Sequence, residues 1–356
     1  MANDRLWIWL DVITRTNHKM GSLNTPFFSI IIPVYNGIHR DLDICLNSIW
    51  SQDIDPSLYE VICVDDVSTD NSYDWLLTQQ NNHNNLRVIR HTENLRQGGA
   101  RNTGVDKAIG NYILFIDQDD YYHSGSLKSL YSFIQESMSQ IDVVITDSAF
   151  QFKENPHDRL QLNFGDQPLM SNIEAIKSLG WCIAPWRLCI RRQFYQDANI
   201  RFVDRVMIED IDWGVTVMYH ACTVQYIPLL LIHYNKGEAS TTDNMYRDIN
   251  ILRGNTLAAR RVYDLYETLY KDSPVRQWVL DLADRYFNFT CRYCFGLCIH
   301  IEEKRKLLSY IPRYESHYPI VYYATKHPFL FCVVTNCMVP IFRIARKLRR
   351  SIKART

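Results

Sequence analysis

Apolar residues first gather at Phe28-Ser-Ile-Ile-Ile-Pro-Val-Tyr35, a short run rich in β-branched side chains. A run of this length between polar segments reads as a buried strand. Leu42, Cys45, Leu46 and Ile49 then recur at helical spacing, and a second apolar run follows at Val61-Ile-Cys-Val64. The alternation continues with a helix from about Asn71, a strand at Leu86-Arg-Val-Ile89, a helix from Gly98 to Ile109 and a strand at Tyr112-Ile-Leu-Phe-Ile116. Another helix precedes Val143-Val-Ile145. This spacing predicts an α/β fold on a mostly parallel, doubly wound sheet flanked by helices. Past residue 150 the alternation loosens. Val224 to Ile232 supplies a closing apolar stretch, and from about Asn244 the chain reads helical and aromatic-rich.

In such sheets ligands sit beyond the carboxyl ends of the strands. The polar clusters occupy those ends: Tyr35-Asn36, Asp65-Asp66, Glu93-Asn94 and Asp117 to Asp120. Asp117-Gln-Asp119-Asp120 leaves a strand directly, and carboxylates at i and i+2 can converge on one hard cation such as Mg2+ or Mn2+. A solvated acidic turn fits the same residues. Val64-Asp-Asp-Val-Ser-Thr-Asp70 ends another strand on the same side, and it fits a helix-capping turn equally well. Gly98-Gly-Ala-Arg-Asn-Thr-Gly104 opens the helix before the fourth strand; its glycines permit close backbone approach, and Arg101 could meet a phosphate. Glu209-Asp210 precedes a helical stretch, where acidic residues complement the helix dipole.

Taken in order, Ile32-Pro-Val-Tyr-Asn36, Val64 to Asp70, Asn94 with Gly98 to Gly104, Phe115-Ile-Asp-Gln-Asp-Asp120 and Glu209-Asp210 resemble the family 2 glycosyltransferases of the GT-A fold, over roughly residues 27–240. The resemblance implies transfer of a sugar, generally with inversion, from a nucleoside diphosphate sugar to a saccharide or lipid-linked acceptor in cell-surface polysaccharide synthesis. It implies that Pro33, Tyr35, Asp65 and Asp66 border the nucleotide and that Asp117 lies near the ribose and sugar. Asp119, with Asp117, would hold Mn2+ or Mg2+. Asp210 would be the catalytic base, taking the acceptor hydroxyl's proton as that oxygen attacks the anomeric carbon. Three positions depart from the family pattern. Val67 stands where glycine is common, so the turn must avoid a positive φ or bear strain. His233-Tyr-Asn235 replaces a tyrosine followed by arginine, and Arg187 replaces a lysine beside Trp186. Trp181 and Trp186 fit either a sugar-stacking surface or the core.

Composition narrows the remaining choices. Lys plus Arg and Asp plus Glu both number 39, so no net field points to nucleic acid. Ten cysteines in 356 residues do not form the dense framework of a small secreted domain. Cys63 and Cys189 lie in apolar runs, and Cys291, Cys294 and Cys298 fall at helical spacing; a cytoplasmic setting is expected. No signal-peptide pattern opens the chain. The domains expected are an N-terminal extension over residues 1–25, not needed for catalysis, a catalytic domain over 26–240, and a helical region over 241–356. The run from Pro328 to Phe342 is too short to span a bilayer. No acidic residue follows Glu315, and seven basic residues lie between Arg343 and Arg355. That pairing fits peripheral attachment to an anionic leaflet, the inner face of the plasma membrane, with Phe329, Leu330, Phe331, Val333 and Val334 buried in it, and it fits a packed helix with a solvated basic tail as well. Two other functions share the fold: a sugar-nucleotide-binding regulator with a degenerate site, opposed by the intact Asp117, Asp119 and Asp210, and a nucleotidyltransferase, which needs a glycine-rich basic loop that Val34 to His39 lacks.

Overall fold

The computed structural model describes residues 25–151, 159–160, 169–170, 184–235, 249–295 and 300–338. Four strands fill the N-terminal half: β1 (Phe28–Val34), β2 (Tyr59–Asp65), β3 (Leu86–Arg90) and β4 (Tyr112–Phe115). They run parallel in the order β3-β2-β1-β4, with Phe28 to Val34 of β1 in register with Tyr59 to Asp65 of β2. All four therefore deliver their carboxyl ends to one edge, as the polar clusters predict. The crossovers are the helices α1 (Leu42–Trp50), α2 (Ser72–Asn82) and α3 (Arg96–Lys107).

Beyond β4 the mostly parallel sheet also takes in antiparallel strands. The strands β5 (Tyr121–Tyr122), β6 (Val143–Gln151), β7 (Arg159–Leu160), β8 (Leu169–Met170), β9 (Leu188–Arg191) and β10 (Val224–Asn235) extend it to ten. β9 lies between β4 and β6 and is antiparallel to both, while β10 runs parallel to β6 and antiparallel to β5. The physical reason is local. A short 3-10 turn at Pro185–Arg187 feeds Leu188 to Ile190 straight into the gap, where all three side chains are buried. β10 shifts register between Tyr226 and Ile232, around Pro228, which has no N–H to give the ladder.

Period-2 alternation divides the core. Ile30 and Ile32 of β1 face one layer with Leu42, Cys45, Leu46 and Ile49 of α1, while Ile31 faces the other. That second layer includes Ile113, Phe115 and Val143 and continues without a break into the C-terminal helices. These are α7 (Ile249–Thr268), α8 (Arg276–Tyr293), α9 (Ile301–Leu308) and α10 (Pro319–Lys326), preceded along the chain by α4 (Ser126–Glu136), α5 (Arg192–Asp197) and α6 (Asp210–His220). Val279 and Phe287 of α8 belong to the same cluster as Ile31 and Ile113. The boundary expected near residue 240 lies outside the described residues, as do residues 1–24, Trp181, Cys298 and the basic tail.

Trp186 is 7% exposed and packs against Tyr234, so it belongs to the core. Cys63, Cys189, Cys291 and Cys294 are all buried. Residues 328–338 are helical. Phe331, Cys332 and Thr335 face inward, which corrects the expectation that Phe331 is available to a membrane, whereas Phe329 and Leu330 are exposed. Among the described residues no helix is long and apolar enough to cross a membrane.

Candidate active site

Three loops beyond the sheet edge are tied together by side chains. Gln118 clamps the residue after β1: its Nε2 donates to the Tyr35 carbonyl at 3.0 Å and its Oε1 accepts from Tyr35 N–H at 2.9 Å. Asn36, with φ 51°, turns its side chain onto the loop after β2 and accepts from Thr69 N–H at 2.8 Å and Asp70 N–H at 3.3 Å. The middle residue of the acidic motif thus carries the loop geometry, a role nothing in the sequence marked.

Asp65 is fully buried; its Oδ2 accepts from Ser68 N–H and pairs with Arg90 Nε, each at 3.3 Å. Asp66 Oδ1 accepts from Leu95 N–H at 2.8 Å and lies 2.8 Å from His91 Nδ1. Val67 follows with φ 62°. Of the two outcomes open to a valine there, the turn bears the strain. Pro33, Tyr35, Asp66 and Val67 line a cleft of ≈ 430 Å³, with Arg40, Arg96 and the segment Val206 to Glu209 around it. Sequence reasoning missed Arg40, Arg96 and the 206–208 wall. Arg40 and Arg96 have no ion pair among the described residues, which leaves two unspent cations on the rim.

Arg101 is 2% exposed and is held by two carboxylates: its Nη2 donates to Asp117 Oδ1 at 2.7 Å and its Nη1 to Glu209 Oε1. The guanidinium also lies 5.3 Å from the centre of the Phe202 ring. The residue read as a phosphate contact is here the bond between the acidic turn and the start of α6. Its Nε has no partner among the described residues.

The acidic turn concentrates negative charge. Asp120 N–H donates to the Asp117 carbonyl at 3.0 Å, which closes the turn. Burial, then Asp117, pushes Asp119 up to about 6, with Arg40 opposing. Asp120 is 1% exposed; burial and then its two neighbouring aspartates hold it far above the usual carboxylate range. One Asp120 oxygen accepts from Asn235 N–H at 2.9 Å, and the other has no partner among the described residues. Asp210 opens α6 with part of its surface accessible. Burial of its carboxyl, then the Glu209 charge, pushes it up to about 7, with Arg101 opposing.

Among the described residues no group of three or more His, Cys, Asp or Glu side chains is arranged to hold a metal ion by itself. The raised Asp119 and the orphaned Asp120 oxygen nevertheless mark a place where a cation would relieve crowded negative charge. Mg2+ commonly takes only one or two protein carboxylates and completes its shell with phosphate and water, and this turn fits that arrangement.

A cleft at the carboxyl ends of β1, β2 and β4, with an acidic turn and an elevated carboxyl nearby, lies where an α/β sheet of the GT-A type is expected to take its ligands. Residues 29–200 match the family described as Glycosyl transferase family 2, and the chain belongs to that family. It is 36% identical over 292 residues to the poly(ribitol-phosphate) beta-N-acetylglucosaminyltransferase TarS of Staphylococcus aureus, covering 79% of this chain and 48% of that protein. It is 45% identical over 115 residues to the poly(ribitol-phosphate) beta-glucosyltransferase of Bacillus spizizenii, covering 32% of this chain and 18% of that one. The chain thus spans less than half the length of either relative. The fold is similar to that of S. aureus TarS 1–349 in complex with UDP-GlcNAc, with TM-score 0.66 and 19% identity over 87% of this chain and 90% of that one. It is also similar to mannosyltransferase PcManGT of Pyrobaculum calidifontis in complex with GDP-Man and Mn2+, with TM-score 0.51 and 15% identity over 94% of each chain.

Proposed function

We propose that this chain transfers a sugar from a nucleoside diphosphate sugar, a UDP-sugar first, to a hydroxyl of a cell-surface polymer, inverting the anomeric centre. The observation that carries the reading is the convergence of Arg101, Asp117, Glu209 and Asp210 at the end of the cleft. The nucleotide would lie along Pro33, Tyr35, Asp66 and Val67, its base against Tyr35 and its diphosphate toward Arg40 and Arg96. Asp65, buried behind Asp66, acts by shaping the turn. Arg101 fixes the Asp117 and Glu209 carboxylates, which leaves phosphate contact to the rim arginines. Ionised Asp210 takes the acceptor proton as the acceptor oxygen bonds to the anomeric carbon and the bond to the diphosphate breaks. Asp119 would be the protein ligand of a divalent cation, with Asp117 beside it, and that cation would neutralise charge on the leaving diphosphate.

The relatives that act on poly(ribitol-phosphate) favour a polyol-phosphate or saccharide polymer as the acceptor, free or lipid-linked. The exposed Phe329 and Leu330 and the basic sequence beyond Phe342 support a peripheral place on the cytoplasmic leaflet. The test is a nucleotide-release assay over a panel of UDP- and GDP-sugars with ribitol-phosphate polymer as acceptor. Acceptor-dependent release, lost in Asp210→Asn, is the expected result; no release from any donor refutes the assignment.

A further inference from the structure

The segment that walls the cleft is gripped from both sides by glycines of two different helices. A Cβ on Gly98 of α3 would lie 2.5 Å from the Val203 carbonyl oxygen, and one on Gly254 of α7 would lie 1.7 Å from that of Met207. Both obstacles are backbone atoms, which cannot swing aside as a side-chain tip can. Arg205, between these two contacts, and Ile208, directly after the second, hold φ 62° and 70°, conformations that L-residues keep only where their surroundings fix them. The grip supplies those surroundings.

The segment runs directly into α6, whose first turn α7 also holds. Arg261 donates from Nε and Nη2 to the two carboxylate oxygens of Asp212 at 2.5 and 2.8 Å, a two-pronged pair that fixes direction as well as distance. Residues i and i+2 project to roughly opposite sides of a helix. Asp212 faces α7, and Asp210 lies on roughly the other side of α6, within electrostatic reach of Arg101 and Asp117. On the far side of the turn the Trp213 indole donates to the Tyr195 hydroxyl at 2.8 Å and stacks on Phe202 at 4.4 Å.

We propose that Gly254 and Arg261 of α7 are positioning residues for the reaction, Gly254 setting the donor wall through Met207 and Arg261 aiming Asp210 through Asp212. The helical region is then a working part of the active site. The inference rests on the glycosyl-transfer reading above and assigns a separate kinetic signature to each residue. Gly254→Ala displaces Met207 into or away from the cleft, so the donor KM should rise about tenfold, equivalent to about 1.4 kcal/mol of lost binding, with kcat little changed. Arg261→Met frees the first turn of α6, so kcat should fall by as much as about 100-fold with the donor KM nearly unchanged. Arg261→Lys, which cannot make the forked pair, should recover only part of the loss. Arg260→Ala removes an exposed neighbour paired with Asp264 and should leave both constants as they were.

UDP affinity by calorimetry reads the wall without turnover and separates the two claims. A wild type that binds UDP but transfers no sugar defeats the functional reading and with it the aiming role of Arg261, leaving the donor wall standing, and a wild type that binds neither UDP nor GDP defeats all three. Wild-type UDP affinity in folded Gly254→Ala overturns the donor-wall role. If Arg261→Met loses only folded protein, with kcat per folded molecule unchanged, the aiming role falls. Should Arg261→Met fail to fold, Asp212→Asn, which keeps one acceptor oxygen for Arg261, decides: a kcat loss without a KM change supports the aiming role, and wild-type kcat overturns it. Should Gly254→Ala fail to fold, Met207→Ala decides the wall: weakened UDP binding with kcat unchanged supports it, and wild-type UDP affinity overturns it.

Discussion

Replacing Asp210 by asparagine should make the protein more stable and almost inactive, with a pH dependence that the site dictates. Burial and the Glu209 carboxylate push Asp210 from 3.8 up to about 7. A carboxyl raised in the folded state binds its proton more tightly there than in the unfolded chain. Its contribution to stability is therefore fully present below about pH 4 and is lost as pH rises through about 7. The whole interval corresponds to about 4 kcal/mol at about 1.36 kcal/mol per tenfold. Part of Asp210 stays open to water, so a loss of roughly 2 kcal/mol by pH 8 is the working figure. Asparagine is nearly isosteric and never ionises, so the variant should exceed wild type by about that amount at pH 8 and converge on it near pH 4. Urea unfolding across this range, with unchanged slopes, measures the difference. Turnover of the same preparations should drop by roughly 100-fold or more. Wild-type kcat/KM should fall about tenfold per pH unit below about 7. Equal stabilities at pH 8, or an acid limb in the ordinary carboxylate range, would refute the reasoning.

Asp119→Ala should remove metal-dependent donor binding and turnover while the fold survives, as read by nucleotide release with and without Mn2+; full wild-type activity in excess chelator would exclude the metal. At position 67 the usual order of alanine over glycine should invert. The left-handed conformation costs an L-residue about 1–2 kcal/mol and glycine's extra entropy costs about 0.5–1, so Val67→Gly should be more stable than Val67→Ala by about 0.5–1 kcal/mol. A denaturation series in which alanine leads would contradict the strain at φ 62°. The exposed pair Phe329 and Leu330 should bind anionic vesicles together with the basic tail, at about 1 kcal/mol per surface-proximal basic residue. Co-sedimentation should weaken with salt and on replacing both by aspartate, and equal sedimentation with neutral lipid would count against the membrane.

Local pattern carried the first half of the fold. Apolar runs at Phe28, Val61, Leu86 and Tyr112 became four parallel strands because each is short and followed by a polar turn, three of them buried throughout and the edge strand β3 buried only at Leu86. The acidic clusters were legible for the same reason, since a strand end dictates where its next residues go. β9 was not, because nothing local tells Leu188 to Arg191 to run antiparallel between β4 and β6. The ion pairs of Arg101 were not legible because its partners, Asp117 and Glu209, are 16 and 108 positions away. The wall at Met207 and Ile208 was invisible because its shape comes from glycines on α3 and α7. Val67 shows how far a single position can go: the sequence posed the choice between strain and another turn, and only the backbone angle answered it.

The unbroken core from Ile31 to Phe287 bears on how this chain emerges from the ribosome. When Asn235 has been added, every described strand of the sheet exists, yet the layer containing Ile31, Ile113 and Val143 still lacks Val279 and Phe287. At about 5–20 residues per second, the following stretch of about 50 residues takes roughly 3–10 s to make. During that interval a nearly complete sheet presents an oily face to the cytosol or to the tunnel mouth. Translation speed between β10 and α8 is therefore a determinant of yield, and holdase chaperones acting on nascent chains would find their longest opportunity there.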